Sequence, residues 1–146
     1  MKRCGFSLIE LMVVVAIMAF LAMIAVPNFT RFLAKAKRAE ALMNLSSIYA
    51  AEKAYYAEHG SYSDVLNGEK GIGWKPEGKI YYSYGFIGAE GRNNFIGSLG
   101  AQIQGSRADK NGFTAIAAGD IDGDGDVDII SIDENNQVTI VQDDLL

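Results

Sequence analysis

Five aspartates alternate along Asp120-Ile121-Asp122-Gly123-Asp124-Gly125-Asp126-Val127-Asp128, the one stretch whose side chains could do metal chemistry. As a continuous strand it would hold the carboxylates on one face, each about 6–7 Å from the next, where like charges repel. Gly123 and Gly125 permit a tight loop instead, and a loop turns alternate carboxylates inward. Asp at positions one, three, five and nine, with Gly at six, matches most of a Ca²⁺ loop. Oxygen-only ligands favour a hard cation, Ca²⁺ over Zn²⁺. Position twelve is Ser131 rather than a bidentate Glu, and both flanks read as strands, so the stretch is not an EF-hand. Two readings stand: a Ca²⁺ loop built on Asp120, Asp122, Asp124 and Asp128, and a solvated acidic turn. Catalysis finds no footing. The only cysteine is Cys4 and the only histidine is His59, whose place at a helix end reads as a C-cap contact. There is no phosphate-binding glycine loop and no zinc ligand set, so no enzymatic activity is expected.

The elements that must position this loop are strands. Val127 to Ile132 and Gln137 to Val141 are β-branched runs separated by a turn at Glu134-Asn135-Asn136. Phe113 to Ala118 leads into the acidic stretch, and Ile80 to Ile87 is aromatic and β-prone. Three to four antiparallel strands are expected, with Tyr and Phe side chains in the core. Residues 60–79 and 88–112, rich in glycine, read as loops. Before them, Asn28 to Glu58 contains no Gly or Pro and is rich in Ala, which predicts a helix. Leu42, Leu45, Ile48, Tyr49, Tyr55 and Tyr56 would form its apolar face, opposite Asn44, Ser47 and Lys53. His59-Gly60 is the stop signal.

That helix continues an apolar one. From Phe6 to Val26 only Ser7 and Glu10 are polar, and Lys2 and Arg3 precede the run. A helix of about 20 such residues spans a bilayer, with the basic leader on the cytoplasmic side. Glu10 is the anomaly, since a lone carboxylate there costs about 2.5–3.5 kcal/mol on insertion. Cutting the chain before Phe6 would create an amine able to neutralise it in a staggered neighbour. Pro27 lies inside the helical pattern, where a kink or local loss of hydrogen bonds is expected.

The segment Gly5-Phe6-Ser7-Leu8-Ile9-Glu10-Leu11-Met12-Val13-Val14-Val15-Ala16-Ile17, after its short basic leader, resembles the type III signal of type IV pilins and their pseudopilin relatives. The resemblance is strong over residues 1 to about 60. It implies cleavage by a prepilin peptidase after Gly5, N-methylation of Phe6, and pairing of Glu10 with the Phe6 amine of an adjacent subunit. In the family a glycine eight residues before the proline helps this region melt on assembly; here that position is Ala19, leaving Pro27 alone. Residues 50–64, and Trp74-Lys75-Pro76 before Tyr81-Tyr82-Ser83-Tyr84-Gly85-Phe86, are also similar to pilins. The implied fold is α+β: a long N-terminal helix, membrane-spanning in its first half, packed on a small antiparallel sheet. The implied organisation is a leader at 1–5, a transmembrane and filament-core helix at 6–27, and a globular domain at 28–146.

The implied function is a structural subunit of an extracellular pilus serving adhesion, motility or surface interaction. Its partners would be copies of itself, the prepilin peptidase and the inner-membrane assembly machinery. It would reside in the bacterial inner membrane as a single-pass precursor and then in the filament. The alternatives are a minor pilin and a pseudopilin of type II secretion, although a Tyr-Pro-Thr-like helix exit and an Asp-Pro-Trp-Gly motif are missing. A membrane-anchored Ca²⁺-dependent binding module that does not polymerise would have no use for Glu10. Losing the leader takes the net charge from −5 to −7, because Lys2 and Arg3 leave with it, and removes the only cysteine. No disulfide can then hold the C-terminal region. From Asp120 onward there are nine carboxylates and no Lys or Arg, against a basic stretch at Arg31, Lys35, Lys37 and Arg38. Nucleic-acid binding is not expected of so acidic a domain.

Overall fold

The computed structural model describes residues 5–87 and 94–145. One helix, α1 (Leu8–His59), is followed by five strands: β1 (Ser83–Gly85), β2 (Arg107–Ala108), β3 (Phe113–Gly119), β4 (Asp128–Asp133) and β5 (Val138–Gln142). The chain divides into two compact units, Met1–Leu33 and Ala34–Leu146, and α1 belongs to both.

In the first unit α1 is exposed along its whole length, and from Leu11 to Val26 every side chain is apolar. It starts at a capping box. Ser7 Oγ accepts a bond from the Glu10 amide at 3.2 Å, and Glu10 Oε2 accepts from the Ser7 amide at 3.1 Å. The helical span runs through Pro27 without interruption. The turn around the proline carries side-chain bonds to the backbone: Asn28 Nδ2 donates to the Ile24 carbonyl at 3.1 Å, and Thr30 Oγ1 to the Pro27 carbonyl at 2.9 Å.

In the second unit α1 buries Ala34, Ala41, Leu45, Ile48 and Glu52, a stripe at helical spacing. This differs from the apolar face expected above. Leu45 and Ile48 are buried, but Leu42 is 36% exposed and Tyr56 41%. Asn44 and Ser47, expected on the far face, bond to the domain: Asn44 Nδ2 donates to the Tyr84 hydroxyl at 2.9 Å, and Trp74 Nε1 donates to Ser47 Oγ at 2.6 Å. Two of the five buried positions are alanines, so the buried stripe does not follow the largest side chains. The helix ends at Gly60, whose φ of 67° and amide bond to the Tyr56 carbonyl at 2.8 Å close the last turn.

The sheet is antiparallel throughout, in the order β1-β3-β4-β5, and β2 also pairs with β3. β1 takes the far end of β3, with Ser83 opposite Ala118, and β2 the near end, with Arg107 opposite Thr114. The four-strand path agrees with the expected sheet; the two-residue β2 lies inside the stretch read as loop. β4 alternates inward Asp128, Ile130 and Ile132 with half-exposed residues, and β5 is exposed along its whole length. Their turn is held by Asp133 Oδ1, which accepts the Asn135 and Gln137 amides at 2.9 and 2.8 Å, with Asn136 at φ 61°. Tyr82, Tyr84, Phe86 and Phe113 are fully buried, so these aromatics are core.

Candidate functional site

Two constellations can do something beyond holding the fold. The first is the start of α1. Phe6 is 81% exposed, and apolar side chains stay exposed from Leu8 to Leu33. The span is long and apolar enough to cross a membrane. Glu10 is not idle within the single chain. Its Oε2 accepts from both the amide and the hydroxyl of Ser7, each at 3.1 Å. A carboxylate at this position also faces the positive end of the helix dipole. Ser7-x-x-Glu10 is a readable capping signal that the reading of Glu10 as an isolated charge passed over.

The second is the acidic loop between β3 and β4. Gly123 (φ 90°) and Gly125 (φ 100°) take conformations that side chains disfavour, and this folds the loop back on itself. Asp120 closes it, accepting the Gly123 amide on Oδ1 at 2.7 Å and the Gly125 amide on Oδ2 at 3.2 Å. Asp122 and Asp124 accept the amides two residues on, at 3.2 and 2.8 Å. One carboxylate oxygen from each of Asp120, Asp122, Asp124 and Asp144 lies within 4.8 Å of all the others. Three of the four residues expected to gather as ligands therefore do so.

Asp128 does not. It is fully buried on β4 and its oxygens are taken. Arg38 donates to both, from Nε to Oδ2 at 3.0 Å and from Nη2 to Oδ1. The Tyr82 hydroxyl donates to Oδ2 at 2.5 Å, and the Asp144 amide to Oδ1 at 3.3 Å. The cause is the strand itself. By Asp128 the chain has entered the β3–β4 ladder, opposite Gly119, and its side chain turns to the helix-facing side. Arg38 Nη2 also reaches Asp143 Oδ1 at 2.5 Å, so one guanidinium joins α1, β4 and the chain beyond β5. Burial alone would lower the Arg38 pKa, but the hydrogen bonds it donates to Asp143 and Asp128 outweigh it and raise it. Burial and the bond to Asp128 push the Tyr82 hydroxyl well up. Asp144, which stands where Asp128 was expected, had no local sequence signal. It lies beyond β5 and comes to the loop only through the fold.

Comparison with known proteins bears on the first constellation. The profile of the prokaryotic N-terminal methylation motif matches residues 1–26. The type IV major pilin protein PilA of Myxococcus xanthus is 47% identical over 90 residues, 62% of this chain and 40% of that protein. Residues 1–26 carry the N-terminal methylation motif, and the chain is similar to type IV major pilins. PilE1 of Neisseria gonorrhoeae, another type IV major pilin, is 38% identical over 60 residues, 41% of this chain and 36% of its own. Fimbrial protein EcpC of Eikenella corrodens is 35% identical over 92 residues, 63% of this chain and 59% of its own. The chain thus spans about two fifths of the length of the first two relatives. These names favour the pilin over the pseudopilin. The second unit shows a helix packed on a small antiparallel sheet, which is consistent with the fold that the resemblance implies, and its buried residues run from Ala34 to Glu52.

Proposed function

We propose that this chain is the structural subunit of an extracellular type IV pilus, cleaved after Gly5, N-methylated at Phe6 and polymerised through its N-terminal helix. One observation carries the reading: the helix from Leu8 to Leu33 exposes a run of large apolar side chains, from Leu8 to Val26 and again at Phe29, Phe32 and Leu33. Such a surface is stable only in lipid or against other apolar helices. A pilus subunit uses both in turn, the bacterial inner membrane as precursor and the filament core after assembly. Open helical filaments arise from heterologous contacts repeated without closure. The partners are further copies of this chain, the prepilin peptidase and the membrane-bound assembly machinery.

Glu10 has a part in each state. In the precursor it caps the helix through Ser7. After cleavage the Phe6 amine offers it a cation, within the chain or from a neighbouring subunit, and that pairing sets the axial register. The test is Glu10→Gln, which keeps the capping geometry and the size but removes the charge. We expect the variant to insert in membranes as well as wild type and to leave cells without surface filaments. Wild-type amounts of filament from Glu10→Gln would confine Glu10 to capping and refute the pairing. Filaments composed of another protein, unchanged when this chain is deleted, would remove the pilus reading altogether.

A further inference from the structure

The acidic loop holds an observation that the pilus reading does not use. Asp144 is 6% exposed, yet its Oδ1 has no hydrogen-bond partner. Its other oxygen, Oδ2, accepts the Ile121 amide at 2.9 Å, which fixes the carboxyl against the loop. Three further carboxylates, Asp120, Asp122 and Asp124, converge on it. A buried acceptor left without a donor is destabilising, the more so when it is charged. Among the described residues no Lys or Arg forms a salt bridge to any of the four; the bridges present are those of Arg38 to Asp128 and Asp143, and Arg107 to Asp109. Lys37 is the nearby cation, and its Nζ donates to the Ile121 carbonyl at 2.6 Å instead.

The spacing suits one cation. Two oxygens on opposite sides of a Ca²⁺ ion bound at about 2.4 Å are about 4.8 Å apart, so four oxygens all within that limit can surround it. The donors are all hard oxygens, which excludes soft-metal preferences. Asp120 accepts the Gly123 and Gly125 amides, Asp122 the Asp124 amide and Asp124 the Asp126 amide, so the loop is shaped before any ion arrives.

We propose that Asp120, Asp122, Asp124 and Asp144 bind one Ca²⁺ ion, and that the ion clasps the segment after β5 to the loop between β3 and β4. Asp144 is the residue that makes this a clasp rather than a loop site. Asp143 is already held by Arg38, so two successive residues tie the same segment to the domain, one through a guanidinium and one through the metal. The covalent alternative is closed to this chain, whose one cysteine is Cys4. The proposal stands whether or not the chain polymerises.

The test uses the full chain in detergent micelles, stripped of divalent ions and titrated calorimetrically with Ca²⁺. Mg²⁺, and Na⁺ at equal ionic strength, are the controls. One Ca²⁺ per chain is expected. Asp122→Asn/Asp124→Asn should abolish the heat, and Asp144→Asn should weaken binding on the order of tenfold or more, since a charged ligand is lost. Asp126→Asn, outside the ligand set, should change affinity little. Hydrogen exchange at the Ile121 and Leu145 amides should slow on adding Ca²⁺ to wild type and not to Asp144→Asn. No binding at millimolar Ca²⁺ would make the loop an acidic turn only. Equal losses from Asp126→Asn and Asp144→Asn would mean diffuse counterion attraction and overturn the site. Full binding by Asp144→Asn would overturn the clasp.

Discussion

Glu52 should make this domain less stable as pH rises. Its side chain is fully buried on α1 with one oxygen, Oε2, accepting the Ser63 amide at 3.2 Å and the other, Oε1, without a partner. Burial pushes its carboxyl up from 4.5 to about 7, against the bond from Ser63 and with a small addition from Asp64. In the folded state the proton is held until near neutrality; in the unfolded chain it leaves near 4.5. The folded state therefore binds more protons in that window, and stability falls as pH rises through it. Its contribution is whole below about 4.5 and gone above about 7. At about 1.4 kcal/mol per pH unit the loss is at most about 3.5 kcal/mol, and about 2 kcal/mol is a fair expectation. Glu52→Gln is neutral at every pH and keeps an acceptor for Ser63. It should match wild type near pH 4.5 and exceed it at pH 8, on the order of 5–10 °C in melting midpoint. Trp74 is the only tryptophan and packs edge-on against Tyr84 and Phe95. Its fluorescence in detergent-solubilised full chain reports the domain rather than the membrane helix. A wild-type midpoint that does not fall between pH 5 and 8 relative to Glu52→Gln would refute the reasoning.

Three further outcomes are expected. Mass spectrometry of native filaments should show a chain starting at N-methylated Phe6; residues 1–5 retained in assembled filaments would exclude the cleavage. Asp128→Ala should cost about 2–4 kcal/mol in denaturant unfolding, because it leaves Arg38 with Asp143 alone and strands the Tyr82 hydroxyl in the interior, whereas Asp126→Ala on the exposed loop should cost under about 0.5 kcal/mol. Pro27→Ala should change filament dimensions in electron cryomicroscopy maps if the proline sets local helix melting on assembly, and identical maps would remove it from assembly.

The long helix, the four main strands and the β4–β5 turn were legible because each has a local signal: periodicity, β-branching or turn chemistry. The core stripe of α1 was legible only in part. Leu45 and Ile48 announce themselves, but Ala34, Ala41 and Glu52 are buried by the tertiary fold, Glu52 under the segment that brings the Ser63 amide to it, and no local pattern encodes that. The same distinction runs through the acidic loop. Asp120, Asp122 and Asp124 share one tight turn set by Gly123 and Gly125, so spacing finds them. Asp128 lies past the point where ladder pairing takes over from turn geometry, and Asp144 arrives from beyond another strand. Ser7 was legible but unread, because a capping box and a stray intramembrane charge look alike until the helix start is fixed.

The Arg38 junction has a kinetic consequence. β3, β4 and β5 follow one another in the chain and can close as a meander with little loop entropy to overcome. The Arg38 contacts span 90 and 105 residues. They belong to the end of folding, when α1 docks and the waiting Asp128 receives its charge partner. Weakening Ile130 should then slow refolding, while Arg38→Met should chiefly speed unfolding, a split that chevron plots resolve. A subunit paused before that step would present its sheet with the helix face uncovered, so the interval in which it can mispair ends when one arginine finds two aspartates.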